Sequence, residues 1–256
     1  MKRKLGILAT CICDADPVET LDKIKEHGFD CFFTELKDID YTLILKEKAE
    51  SLGLDYEFIH APWGGINEIW TKRETPQIFN DYIRTIDVAS KANVKTIIMH
   101  LSSGEDAPCV SDIGFKRFDD LVEYAEKKNV VIAFENQRKL GNLSCIFERY
   151  QNASNVGFCF DSGHEHCFTV NVPFLSFYAD KVICTHIHDN FGKKSGDVHL
   201  LPFDGNCDYN AMMKRLNAVE YGGSLMLEVN NKRYQNLSVD EFLNQAFNRI
   251  QLISNM

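Results

Sequence analysis

No C-x-x-C pair occurs among the nine cysteines of this 256-residue chain, and their odd number leaves no complete set of disulfides. Cys11 and Cys13, spaced C-x-C, are the only close pair. The cysteines read as reduced thiols of a cytoplasmic protein, acting as small buried hydrophobes. Proline (6) and glycine (15) are sparse and scattered, which excludes low-complexity and collagen-like chains. No apolar run approaches the ~18 residues of a membrane span, so no membrane partner is expected. Basic residues are the minority, 28 against 37 acidic, for a formal charge of -9. A strong nonspecific grip on nucleic acid normally needs a basic face, so no nucleic-acid partner is expected, although this balance leaves room for a local patch. A P-loop or other phosphate-cradling glycine motif is also missing, which favours an unphosphorylated ligand.

What is present begins with Met1-Lys2-Arg3-Lys4 and the apolar run from Leu5 to Cys13, the outline of a signal peptide. The run is short for that purpose, and acidic Asp14-Ala15-Asp16-Pro17 follows at once. It reads instead as a first strand running into a helix start. Short apolar runs then alternate with helical patterns to the end of the chain. The strands are expected at Leu5–Thr10, Asp30–Glu35, Asp55–His60, Thr96–His100, Val130–Glu135, Val156–Phe160, Val182–His186 and Ser224–Glu228. Helices are expected from Pro17 towards Gly28, then at Tyr41–Leu52, Pro76–Ala92, Ser111–Lys128, Leu143–Tyr150, Val172–Ala179, Tyr209–Leu216 and Val239–Ser254. The strands are too apolar to alternate cleanly, as expected where protein covers both faces of a sheet. Eight strand–helix units in a chain of this size predict an α/β fold, a single-domain (β/α)8 TIM barrel over residues 1–256. A doubly wound open sheet is the structural alternative.

The informative residues are those that end the strands. Strand three ends at His60, four at His100, five at Glu135, six at Asp161 with His164 beyond it, seven at His186 and His188, and eight at Glu228. One histidine after a strand is usually a hydrogen-bonded packing residue, and one carboxylate is usually a helix cap. Six consecutive strands ending this way is a different pattern, because a parallel barrel collects these ends on one face. Crowded carboxylates raise one another's pKa, and a bound divalent cation is the simplest relief.

With these motifs the chain resembles the xylose-isomerase-like barrels, a superfamily of sugar isomerases, sugar epimerases and family 2 AP endonucleases. The resemblance rests on His60-Ala61-Pro62, His100, Glu135, Phe160-Asp161-Ser162-Gly163-His164, His186-Ile187-His188-Asp189-Asn190, Gly196-Asp197-Val198-His199 and Leu227-Glu228-Val229. It covers nearly the entire chain in order. It implies that Glu135, Asp161, His186 and Glu228 ligate one divalent ion, with His188 pointing away along an alternating strand end. A site of three carboxylates and one imidazole suits Mn2+, Mg2+ or Co2+. The remaining matches, His60, His100, His164, Asp197 and His199, are expected to bind substrate, together with Trp63. Trp70 and Phe191 are further expected walls, and segments 63–70 and 191–202 should shape the pocket.

The resemblance leaves two activities open. In the first, a small-molecule sugar or polyol is isomerised or epimerised through an enediolate. Glu135 and Glu228 are then the catalytic proton carriers, and the ion stabilises the developing charge. In the second, an endonuclease IV-type phosphodiesterase cuts abasic DNA with a three-Zn2+ cluster, for which every ligand position has a match here. The acidic balance and the short loops after strands two and three disfavour it. A sugar-binding relative without turnover is a third outcome, and self-association into a homo-oligomer is compatible with the sequence but not specified by it.

Overall fold

The computed structural model describes residues 3–194 and 196–256; Met1 and Lys2 of the basic start, and Ser195 in the expected pocket segment, lie outside the described residues. Eight parallel strands form one nearly closed barrel: β1 (Leu5–Leu8), β2 (Cys31–Glu35), β3 (Asp55–His60), β4 (Thr96–Met99), β5 (Val131–Glu135), β6 (Val156–Asp161), β7 (Val182–His186) and β8 (Leu225–Leu227). Neighbours pair in the order β7-β6-β5-β4-β3-β2-β1-β8. The seam between β7 and β8 is held differently. Ile187 bridges Leu227 through two backbone bonds, donating to Met226 O (2.8 Å) and accepting from Glu228 N (3.1 Å). One step earlier the Thr185 hydroxyl donates to Ser224 O (3.1 Å) and accepts from Met226 N (3.2 Å). The open-sheet alternative is thereby removed.

Ten helices surround the barrel among the described residues: α1 (Pro17–Glu26), α2 (Ile39–Leu52), α3 (Glu68–Thr71), α4 (Gln77–Lys91), α5 (Asp112–Lys127), α6 (Leu140–Arg149), α7 (Ser162–Phe168), α8 (Leu175–Tyr178), α9 (Tyr209–Ala218) and α10 (Val239–Ser254). Their starts follow local chemistry. Asp16 accepts from Val18 N at 2.8 Å with proline at the first helical position, and Ser238 with Glu241 forms a capping box. The short α3 and α7 were not expected from periodicity, since neither is long enough to display a helical repeat.

Alternation along the strands splits the apolar core in two. Ile7, Phe32, Ile59, Ile97, Phe134, Phe158 and Leu227 face outward into the layer shared with the helices. Leu8, Phe33, Phe58, Ile98, Ala133, Cys159, Cys184 and Met226 fill the barrel interior. Two residues further along each strand, the same inward direction is taken by Thr10, Glu35, His60, His100, Glu135, Asp161, His186 and Glu228. The barrel is therefore an apolar plug topped by a polar layer.

Candidate metal centre and cleft

That polar layer is the site. The His186 ring rests on the plug, 4.8 Å from Phe33 and 5.6 Å from Phe58 between centroids. Its Nδ1 faces Glu135 Oε1 (2.7 Å), Glu228 Oε2 (3.4 Å) and Asp161 Oδ2 (3.9 Å). Ligand atoms of Glu135, Asp161, His186 and Glu228 all lie within 4.8 Å of one another, so the structure brings together the four residues expected to hold an ion. Asp161 Oδ1 caps α7 by accepting from His164 N (2.7 Å), whereas its buried Oδ2 has no hydrogen-bond partner. A buried carboxylate oxygen left unpaired costs roughly 1–3 kcal/mol or more, and a cation at this point would relieve it. The donor set fits a divalent ion.

The other expected residues surround this group. His100 Nε2 meets Glu135 Oε2 at 2.5 Å, and His60 Nε2 lies 3.7 Å from the same oxygen. His60 Nδ1 donates to Ala61 O (2.7 Å), which leaves Nε2 turned to the centre. His199 is held the same way through Glu228 O (2.7 Å). Asp197 Oδ2 lies 3.3 Å from both His164 Nε2 and His199 Nε2. A second cluster results, made of His164, His188, Asp197 and His199.

His188 corrects the expectation that it points away. Residues i and i+2 of a strand share a face, so His188 follows His186 inward while Ile187 turns outward. It is fully buried, with Nε2 3.1 Å from Asp161 Oδ1 and its ring stacked on His199 at 3.9 Å. Tyr209 Oη and Ser162 Oγ both donate to its carbonyl. Gly163 makes room for the ring: a Cβ there would sit 2.0 Å from His188 Cε1.

Asp189 has a supporting role. Its carboxylate accepts from the backbone N–H groups of Asn190, Phe203 and Cys207, and its backbone pairs with Leu200. This fixes the excursion that carries Asp197 and His199 back over the barrel, where His199 adopts φ 46°, an uncommon left-handed conformation for a non-glycine residue.

The crowded carboxylates and imidazoles shift one another's pKa values. Burial works to raise the Glu135 pKa, but His100 and His186 hold it well below the usual carboxylate range. Burial opposes a charged His186, yet Glu228 and Glu135 push it up to about 9. Against the same opposition, Glu228 and Asp197 push His199 up to about 10, and Asp161 and Asp197 raise His164. Asp197, opposed by burial, is driven below the carboxylate range by His164 and His199. His100, unlike His164, His186 and His199, goes down, because burial outweighs Glu135. The centre is built around positive charge.

A cleft of about 460 Å³ opens above it, where Glu35, Trp63, Gln137, Arg138 and Phe168 join His60, His100, Glu135, His164, Asp197, His199 and Glu228 in the lining. Trp63, half exposed, lies near-parallel to the His100 ring as a wall. Trp70 is not a wall: it is 2% exposed, donates from Nε1 to Leu101 O and packs on Phe118. Phe191 is exposed and does not line the cleft. Several lining residues were missed from sequence, Glu35, Gln137, Arg138 and Phe168 among them. Glu35 stands two positions after inward Phe33, the step that locates every other member of the layer. Gln137 Nε2, 3.1 Å from both Glu135 Oε2 and His164 Nδ1, and Arg138 lie in irregular chain after β5, where no periodicity marks them.

Comparison with known proteins matches the xylose isomerase-like TIM barrel family model over residues 21–247. An uncharacterized protein of Sinorhizobium fredii, y4fM, is 35% identical over 163 residues, 58% of this chain and 51% of its own, so the chain spans about half the length of that relative. Two solved structures superpose along nearly the full length. One is 3-keto-D-glucoside 4-epimerase YcjR from E. coli (TM-score 0.75, 16% identity, 100% of both chains). The other is D-psicose 3-epimerase with D-tagatose from Clostridium cellulolyticum H10 (TM-score 0.75, 14% identity, 98% of both chains). No helix among the described residues is long and apolar enough to cross a membrane.

Proposed function

The chain belongs to the xylose isomerase-like TIM barrel family, and from that premise we propose that it is a divalent-metal-dependent isomerase or epimerase acting on a small sugar or polyol by proton transfer through an enediolate. The observation that carries this reading is the group Glu135, Asp161, His186 and Glu228, with a buried and unpaired Asp161 oxygen at its centre. A divalent ion held there would supply Lewis-acid stabilisation of charge developing on substrate oxygens. The proton work falls to Glu135 and Glu228, which flank His186 Nδ1 at 2.7 and 3.4 Å. Both Glu135 oxygens are engaged, by His186 on one side and by His100 and Gln137 on the other, which fixes its orientation. Glu228 is 18% exposed at the cleft floor and is the more accessible base. His60, His100, His164, Asp197 and His199 orient substrate hydroxyls, and Trp63 covers an apolar sugar face. The sugar epimerases of the same fold support this reading, and a cleft of this size suits one small ligand.

The test is isotopic. Protein incubated in deuterated water with a panel of ketoses and aldoses should place deuterium beside the carbonyl, and Glu228→Gln should abolish this even in excess metal, because an amide oxygen is no useful base. Isomerisation without solvent exchange would reject the glutamate pair in favour of a hydride shift.

One observation favours a second reading. His164, His188, Asp197 and His199 form another donor set, and His60, Glu135 and His186 a third, as a multi-zinc phosphodiesterase requires. Metal count separates the two.

A further inference from the structure

Arg138 is the only lysine or arginine among the described residues that line the cleft, which is otherwise rich in carboxylates and imidazoles. Its guanidinium lies over the Phe168 ring, 3.5 Å from the centroid, and Phe168 in turn stacks on His164 at 4.6 Å. Nε donates to Glu105 Oε1 at 3.1 Å. Among the described residues, Nη1 and Nη2 make no hydrogen bond. Glu105 also pairs with Lys194 at 3.0 Å, so two cations share one carboxylate. A planar donor fork, locked by an aromatic stack and one anchoring bond, is arranged for bidentate contact with a planar or tetrahedral oxyanion.

We propose that Arg138 binds an anionic group of the substrate, so that the ligand is a sugar acid or sugar phosphate carrying its charge away from the reacting carbons. This rests on the proposed function and narrows its substrate class. It also departs from the expectation of an unphosphorylated ligand: a guanidinium fork binds an oxyanion without a glycine loop.

Calorimetry on the Mn2+-loaded full chain tests the proposal with two matched pairs, D-glucose against D-glucuronate and D-ribose against D-ribose 5-phosphate. The anionic member of at least one pair should bind at least ten-fold more tightly, and the pair that responds identifies carboxylate or phosphate as the group recognised. Arg138→Gln should erase the difference with unchanged metal stoichiometry, and Arg138→Lys should restore part of it. A purely structural Arg138 would lower affinity for both members alike, which overturns the proposal. Equal binding of both members, or no binding of either anion, overturns it too. Deuterium exchange on the same sugars reports separately on the chemistry. Exchange without anion preference rejects the Arg138 role and keeps the proton-transfer reading; anion preference without exchange does the reverse.

Discussion

His186 makes the strongest single-residue prediction, because the same carboxylates that would bind an ion with it also raise its pKa. In the ion-free protein that pKa stands at about 9 against an ordinary 6.5. A raised histidine stabilises the ion-free fold below about pH 6.5, and that contribution is lost as pH climbs through about 9. Ligation needs the neutral ring, so ion binding at pH 7 should release a proton from His186, and affinity should rise with pH until levelling near 9. Calorimetry of Mn2+ binding in buffers of different ionisation enthalpy measures this, and binding with no proton release at pH 7 would contradict it. The residues of the centre were legible because each ends an apolar strand with a polar side chain. His188 was misread although the same alternation that places His186 places it as well. Gln137 and Arg138 had no such signal, since their positions depend on how the chain leaves β5.

Strands and helices act as rulers. On each strand an inward apolar or thiol side chain is followed two residues later by a polar one, as in Phe58 and His60, Ile98 and His100, Cys159 and Asp161, or Met226 and Glu228. A shift of one residue in any strand would bury its polar group against the helices. The barrel was therefore readable from strand number and strand ends together. Its seam was not, because there a short backbone bridge at Ile187 is joined by the Thr185 hydroxyl, which carries no periodic signature. The sharpest packing constraint falls at the start of α7, where Gly163 faces the His188 ring. Gly163→Ala must move that ring or the helix, and should lower stability by about 1–3 kcal/mol, the usual cost of overpacking. Thermal unfolding measures the loss. An unchanged melting temperature would mean that His188 is free to swing aside, and would weaken its place in the second donor cluster.

For the chain as a whole, charge and site point to different partners. A net charge of -9 discourages contact with a polyanion such as DNA, while Arg138 places one guanidinium in the wall of the cleft. A small anionic sugar satisfies both conditions, since it reaches the fork without laying a phosphate backbone along an acidic surface. The account stands on a single-ion centre made by Glu135, Asp161, His186 and Glu228. Its most direct test is the metal content of the full chain after purification without added metal and equilibrium dialysis against Mn2+, Mg2+, Co2+ and Zn2+, with Asp161→Asn alongside. One manganese, magnesium or cobalt ion per chain, with affinity reduced at least ten-fold in Asp161→Asn, is the predicted result; three zinc ions per chain, or unchanged affinity in Asp161→Asn, would contradict it.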